Sequence, residues 1–141
     1  MTQALRAPVE LFDYFAGEER GNVRHEYLGG ELHALVGGTL RHNRIGLNIA
    51  THFVERTRAA PCEVFLADAK LHVRATDAVY YPDVIVVCGV KLDPSAHAVD
   101  DATLVVEVTS DSTASIDRRE KLVAYRKLPG LRGSNLCAAA G

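Results

Sequence analysis

No stretch of this chain is apolar for anything near the ~20 residues that a bilayer-spanning helix requires, and its N-terminus lacks the apolar core of a signal peptide. Cysteine is scarce: Cys62, Cys88 and Cys137 form an odd, scattered set without CxxC spacing. That argues against a disulfide framework or a zinc cluster and fits a reducing cytoplasm. A dominant charge is missing too. The 16 Lys and Arg against 18 Asp and Glu leave a formal net charge of -2. A nucleic-acid partner therefore has to be met by a local basic patch, or by a metal that offsets carboxylates. Repeats, low-complexity tracts and an evident linker are absent as well. What is present is 141 residues with 48% hydrophobic and 24% charged content, the size and composition of one globular domain with its own core. The expectation is a single cytoplasmic domain without membrane contact.

Hydrophobic spacing divides that domain into elements. VELFDYFA after Pro8 reads as a short helix with proline in its first turn. HEYLGGELHALV is two alternating segments around Gly29-Gly30, a hairpin signal. From Leu40 to Arg58 the pattern is helical, with Ile45, Ile49 and Phe53 in one stripe and Gly46 and Ala50 slightly displaced. CEVFLADAKLHV holds two short strands, YYPDVIVVC reads as the next, GVKLDPSAHAVDDA as a polar loop and TLVVEV as another strand. IDRREKLVAYRKL then forms a helix, closed by Pro129-Gly130. The order predicts an α/β fold, or α+β with a mixed sheet.

The stretch TLVVEVTSDS, residues 103–112, sets a problem. Glu107 interrupts an apolar run from Leu104 to Val108 that reads as buried on both faces. An unpaired carboxylate there is costly. Asp83 stands near the start of the preceding strand and Glu107 near the end of its own. The strands are joined by a loop rather than by a helix-length crossover, which favours antiparallel pairing. Antiparallel pairing makes the two acids neighbours, roughly 5 Å apart at Cβ, whereas parallel pairing separates them by on the order of 15 Å. Two adjacent carboxylates need a shared proton or a cation. Two acids, a backbone carbonyl and waters suit Mg²⁺ or Mn²⁺. A buried salt bridge from Glu107 to a lysine or arginine is the other reading, and spacing alone leaves both open.

YPDVIVVC, LVVEVTS and DRREKLVAYRKLPGLR, preceded in order by ELFDYF, HEYLGGEL and LRHNRI, resemble the Uma-two family. Its members are classed as bacterial restriction endonucleases of the PD-(D/E)XK nuclease superfamily. The resemblance covers about residues 9–132. It implies a restriction-endonuclease-like core, helix, three strands, helix, behind an N-terminal helix and hairpin. It further implies that Asp83 and Glu107 are the two acidic metal ligands, with the main-chain carbonyl of Val108 as another, and Mg²⁺ or Mn²⁺ as cofactor. The superfamily lysine would fall at Thr109, which carries no charge. Lys121, in the DRxEK pattern, takes its place, positioning or activating the attacking water and offsetting phosphate charge. On its own spacing Lys121 also reads as a helical pair with Asp117. The implied activity is Mg²⁺-dependent phosphodiester hydrolysis in DNA. The alternative is a catalytically inactive nucleic-acid-binding or oligomerising scaffold that keeps the fold, and Thr109 favours it.

The remaining candidates are weaker. Glu26 and Glu31 flank Gly29-Gly30, and each is a candidate for a further acid or for a solvated hairpin face. His42 shares the helical stripe of Ile45, Ile49 and Phe53, as a core-edge residue or as one at the cleft near a phosphate. Lys70, His72 and Arg74 alternate along one strand, as a phosphate-tracking stripe or a solvated face. Arg118, Arg119, Arg126 and Lys127 form the densest basic group, suited to a nucleic-acid backbone. Past Arg132 the resemblance ends. Residues 1–132 are read as the domain, and GSNLCAAAG, residues 133–141, as a divergent tail without predicted structure. The last core strand would then be missing, and the exposed edge would favour a homo-oligomer through the sheet edge or helices.

Overall fold

The structure is a computed structural model that describes residues 7–109 and 114–138, with backbone alone at 109, 114–118 and 134–138. The element order is α1 (Leu11–Arg20), β1 (His25–Leu28), β2 (Glu31–Ala34), α2 (Leu40–Arg56), β3 (Cys62–Leu66) and β4 (Lys70–Val73). After a single 3-10 turn come β5 (Ala78–Tyr80), β6 (Val84–Cys88), β7 (Ala98–Val99), β8 (Leu104–Thr109), α3 (Ala114–Tyr125) and β9 (Gly133–Ala138). Among the described residues no helix is long and apolar enough to cross a membrane.

The strands form two sheets, ordered β2-β1-β5-β4-β7 and β3-β6-β8-β9. Leu71, Val73, Ala78 and Tyr80 of the first sheet pack against Ile85, Val87 and Val105 of the second, with Ala124, Tyr125 and Leu128 closing this core. Alternation in the strands supplies the outer faces. Tyr14 of α1 packs on Tyr27 and Val79, and Ala50 of α2 packs on Val84 and Val106. The mixed fold, with helix α2, strands β3, β6 and β8 and then helix α3, is the one the sequence predicts.

Three details depart from expectation. YYPDVIVVC is two strands in different sheets, because Pro82 has no N–H to give a ladder and the chain crosses between sheets at Tyr81-Pro82-Asp83. The tail is not without structure: Gly133–Ala138 pairs in parallel with β8 over its whole length, from Leu104↔Gly133 to Thr109↔Ala138. The last core strand is therefore present, and the β8 edge on which self-association was expected is covered. Its six residues carry no alternating pattern; the neighbouring strand supplies the template. Finally, Cys62 and Cys88 are direct partners across β3 and β6 and are joined as a disulfide. Their separation of 26 residues hid this pairing, which the scattered cysteine spacing argued against.

The β1–β2 turn shows how tightly the front of the chain is tied down. Gly30 has φ +100°, its carbonyl accepts from Val9 N–H at 3.0 Å, and a Cβ there would lie 2.6 Å from Pro8 Cβ. Gly30→Ala is expected to lower stability by roughly 1–3 kcal/mol in urea denaturation, whereas Gly17→Ala, where a Cβ meets nothing within 4 Å, should not.

Candidate active site

The site lies where α2, α3 and the paired ends of β6 and β8 meet, in a cleft of about 640 Å³. β6 and β8 run antiparallel in the register Val84↔Val106, Ile85↔Val105 and Val86↔Leu104. Extended by one residue, that register sets Asp83 opposite Glu107. Asp83 is fastened there by the Val108 N–H, which donates to its Oδ2 at 2.7 Å. Burial pushes the Asp83 carboxyl above its usual range, against the pull of that N–H and of the charges on His42, Lys121 and Arg24.

Glu107 is 7% exposed and shares its surroundings with two other buried charged residues, Glu26 at 6% and Lys121 at 9%. Lys121 and Tyr125 stand one helical turn apart on α3, so both reach the same neighbour. The Tyr125 hydroxyl donates to Glu107 Oε1. The Lys121 ammonium is 3.0 Å from Glu26 Oε2 and 3.9 Å from Glu107 Oε1. Burial nevertheless dominates and pushes Glu107 up to about 8; Lys121 and Tyr125 pull it down, and the Asp83 and Glu26 charges add to the rise. Glu107 thus has a basic partner, but one it shares. Three carboxylates, Glu26, Asp83 and Glu107, line the cleft with only Lys121 and Arg24 as permanent cations among its described residues.

His42 enters from the first turn of α2. Thr39 caps that helix, its Oγ1 accepting from His42 N–H at 3.1 Å. The ring nitrogen Nε2 lies 2.7 Å from the Val108 carbonyl and 3.4 Å from Asp83 Oδ1. His42 lines the cleft and hydrogen-bonds the β8 backbone.

Other sequence candidates fall elsewhere. Glu31 is exposed and paired with His33 at 3.3 Å, outside the cleft. Lys70 and His72 are buried rather than part of a basic stripe: Lys70 lies over the Tyr81 ring at 5.4 Å, and His72 meets Phe15 and Asp100. Arg74 lies beyond the strand and pairs with Asp100 at 2.8 Å. The alternation that suggested a stripe is real, but its first two members are covered, His72 by Phe15 of α1 and Lys70 by Tyr81. Arg119, Arg126 and Lys127 are exposed and do not line the cleft; the Arg118 side chain lies outside the described residues.

Two cleft neighbours went unread in the sequence. Tyr125 is four residues past Lys121, a spacing that already places both on one face. Arg24, two residues before Glu26, lines the cleft, with its guanidinium 5.5 Å from the Tyr81 ring centre and 3.2 Å from Asp68.

Among the described residues, no three His, Cys, Asp or Glu side chains are grouped as a ready metal cluster. What the site offers is two facing carboxyl groups and a backbone carbonyl, hard oxygen donors of the kind Mg²⁺ and Mn²⁺ take, in a cleft that a third carboxyl, Glu26, also lines. That chemistry fits a divalent cation.

Residues 9–133 match the family described as "Uma2: Putative restriction endonuclease". Two uncharacterized proteins of Synechocystis sp. are similar: slr1290, 33% identical over 120 residues, covering 85% of this chain and 63% of that protein, and sll1609, 30% identical over 122 residues, covering 85% and 69%. A crystal structure from Anabaena variabilis, described as "a putative nuclease belonging to DUF820", superposes with a TM-score of 0.68 over 81% of this chain and 65% of that one, at 14% identity. The chain thus spans just under two thirds of the length of slr1290 and of the Anabaena protein. With the family matched over nearly all of its length, this chain belongs to the Uma2 family of restriction-endonuclease-like proteins.

Proposed function

We propose that this protein is a divalent-metal-dependent endonuclease that hydrolyses phosphodiester bonds in DNA, with Mg²⁺ or Mn²⁺ as cofactor. The observation that carries the reading is the placement of Asp83 directly across from Glu107 at the floor of a cleft, beside the Val108 carbonyl. These three groups would hold the cation. Bound there, it would lower the pKa of an attached water and stabilise charge developing on the phosphate.

The chain's own residues supply the rest. Lys121 takes the role of the lysine that Thr109 cannot fill, offsetting charge on the phosphate and orienting the attacking water from the helix side. Tyr125 fixes one oxygen of Glu107, which restrains the carboxylate without adding charge. Arg24 supplies a cation on the cleft wall for a backbone phosphate.

The test is nicking of supercoiled plasmid with Mg²⁺ or Mn²⁺, with and without chelator. Cleavage is expected with either metal and should vanish on chelation. DNA binding that persists without any metal-dependent cleavage would favour the scaffold reading instead.

A further inference from the structure

His42 is held more closely than a helix residue at a cleft edge requires. A backbone carbonyl can only accept, so at 2.7 Å from the Val108 oxygen the Nε2 atom must carry the hydrogen. The same nitrogen is 3.4 Å from Asp83 Oδ1. The imidazole therefore engages oxygens of two groups that the metal-site reading assigns to the cation. Its other face is seated by a residue chosen for size: a Cβ on Gly38 would fall 2.9 Å from His42 Nδ1 and 3.1 Å from Cγ. Gly38 has no positive φ to demand glycine, so the space for the ring is what its missing side chain provides. The Thr39 cap fixes the backbone of His42 from below.

We infer that His42 is a placeholder at the metal site: its Nε2–H lies against the Val108 carbonyl and faces Asp83, and it competes with a divalent cation for these two oxygens. The inference rests on the metal-site reading and extends it to a residue that opposes loading. Loading then opposes that hydrogen bond, which the cation weakens as it approaches the same oxygens. His42 is on this account a positioning residue. It keeps the two donors aimed at one place while no cation holds them, and weakens the cation's hold by the strength of that bond.

The experiment is Mn²⁺ titration calorimetry on the wild type, His42→Ala and Gly38→Ala, with Mg²⁺ titrations followed by NMR at the His42 Nε2–H proton. Both variants are expected to bind Mn²⁺ roughly threefold to tenfold tighter than the wild type, the range one net hydrogen bond commands. The Nε2–H signal, identified by its loss in His42→Ala, is expected to disappear or move as Mg²⁺ saturates. Gly38→Ala retains the imidazole, so it carries the test if His42→Ala folds poorly. Wild-type binding with equal or weaker binding in the variants, or an Nε2–H signal unmoved at saturation, overturns the placeholder and leaves the metal reading standing. Binding by neither wild type nor variants defeats both.

Discussion

Replacing Lys121 with methionine is expected to destabilise the protein by about 3–5 kcal/mol near pH 8, the range for removing one partner from a buried ion pair. Methionine keeps most of the volume of the lysine stem, so the loss reports charge rather than a cavity. Glu26 and Glu107, both buried, share this one ammonium. The effect depends on pH, and its sign is fixed by Glu107. Its carboxyl sits near 8 in the folded protein against an ordinary 4.5. Between those values the native state binds more protons than the unfolded one, so stability falls as pH rises through that window. Below about 4.5 the acid is protonated in both states and the penalty is absent. Without Lys121 the largest pull toward ionisation is gone. Glu107 stays protonated in both folded proteins up to about 8, so the gap between Lys121→Met and wild type should be level from pH 5 to about 7 and widen above 8, where only the wild type ionises this acid, in urea denaturation. Arg119→Ala, an exposed change on the same helix, should stay within about 0.5 kcal/mol. A gap that stays constant as pH rises past 8 would mean that Lys121 does not favour the ionised Glu107.

The second large effect is on chemistry. Asp83→Asn is expected to reduce metal-dependent cleavage about a thousandfold, since Lewis-acid stabilisation is worth several kcal/mol and each 1.36 kcal/mol is a factor of ten. The fold should hardly notice. The asparagine oxygen can still accept from Val108 N–H, the 2.7 Å bond that fastens Asp83 across the strands, and burial already disfavours charge at this position. A stability change of about 1 kcal/mol or less alongside lost cleavage separates site from scaffold. Because burial raises Glu107 to about 8, a cation that takes this carboxylate below that pH has to displace its proton. Affinity for Mg²⁺ should accordingly increase as pH rises toward 8 and weaken below it.

The facing of the two acids was legible in the sequence because it depends on one local rule. Two strands joined by a loop pair antiparallel, and that alone brings the start of one beside the end of the other, Asp83 beside Glu107. The stripe of α2 was equally readable, and it carried His42 toward the core even though what it meets, a carbonyl on β8, is not visible from α2. What stayed hidden is set by tertiary partners. Lys70 and His72 look solvent-facing until Tyr81 and Phe15 are laid against them. Gly133–Ala138 lacks every strand signal and is held by pairing with β8. Cys62 and Cys88 meet only because β3 and β6 adopt one register. Glu26 and Glu31 are equivalent in the sequence, five residues apart around a turn, yet the turn sends one to Lys121 and the other outward to His33.

The most direct test of the account is titration calorimetry of Mn²⁺ and Mg²⁺ on the wild type and on Asp83→Asn, with thermal melts to show that both are folded. The account predicts saturable binding by the wild type, accompanied by proton release, and none in Asp83→Asn. Absence of binding in a folded wild type, or equal binding in the two proteins, would contradict it, and Lys121 and Tyr125 would then be the reason Glu107 is tolerated in its apolar strand.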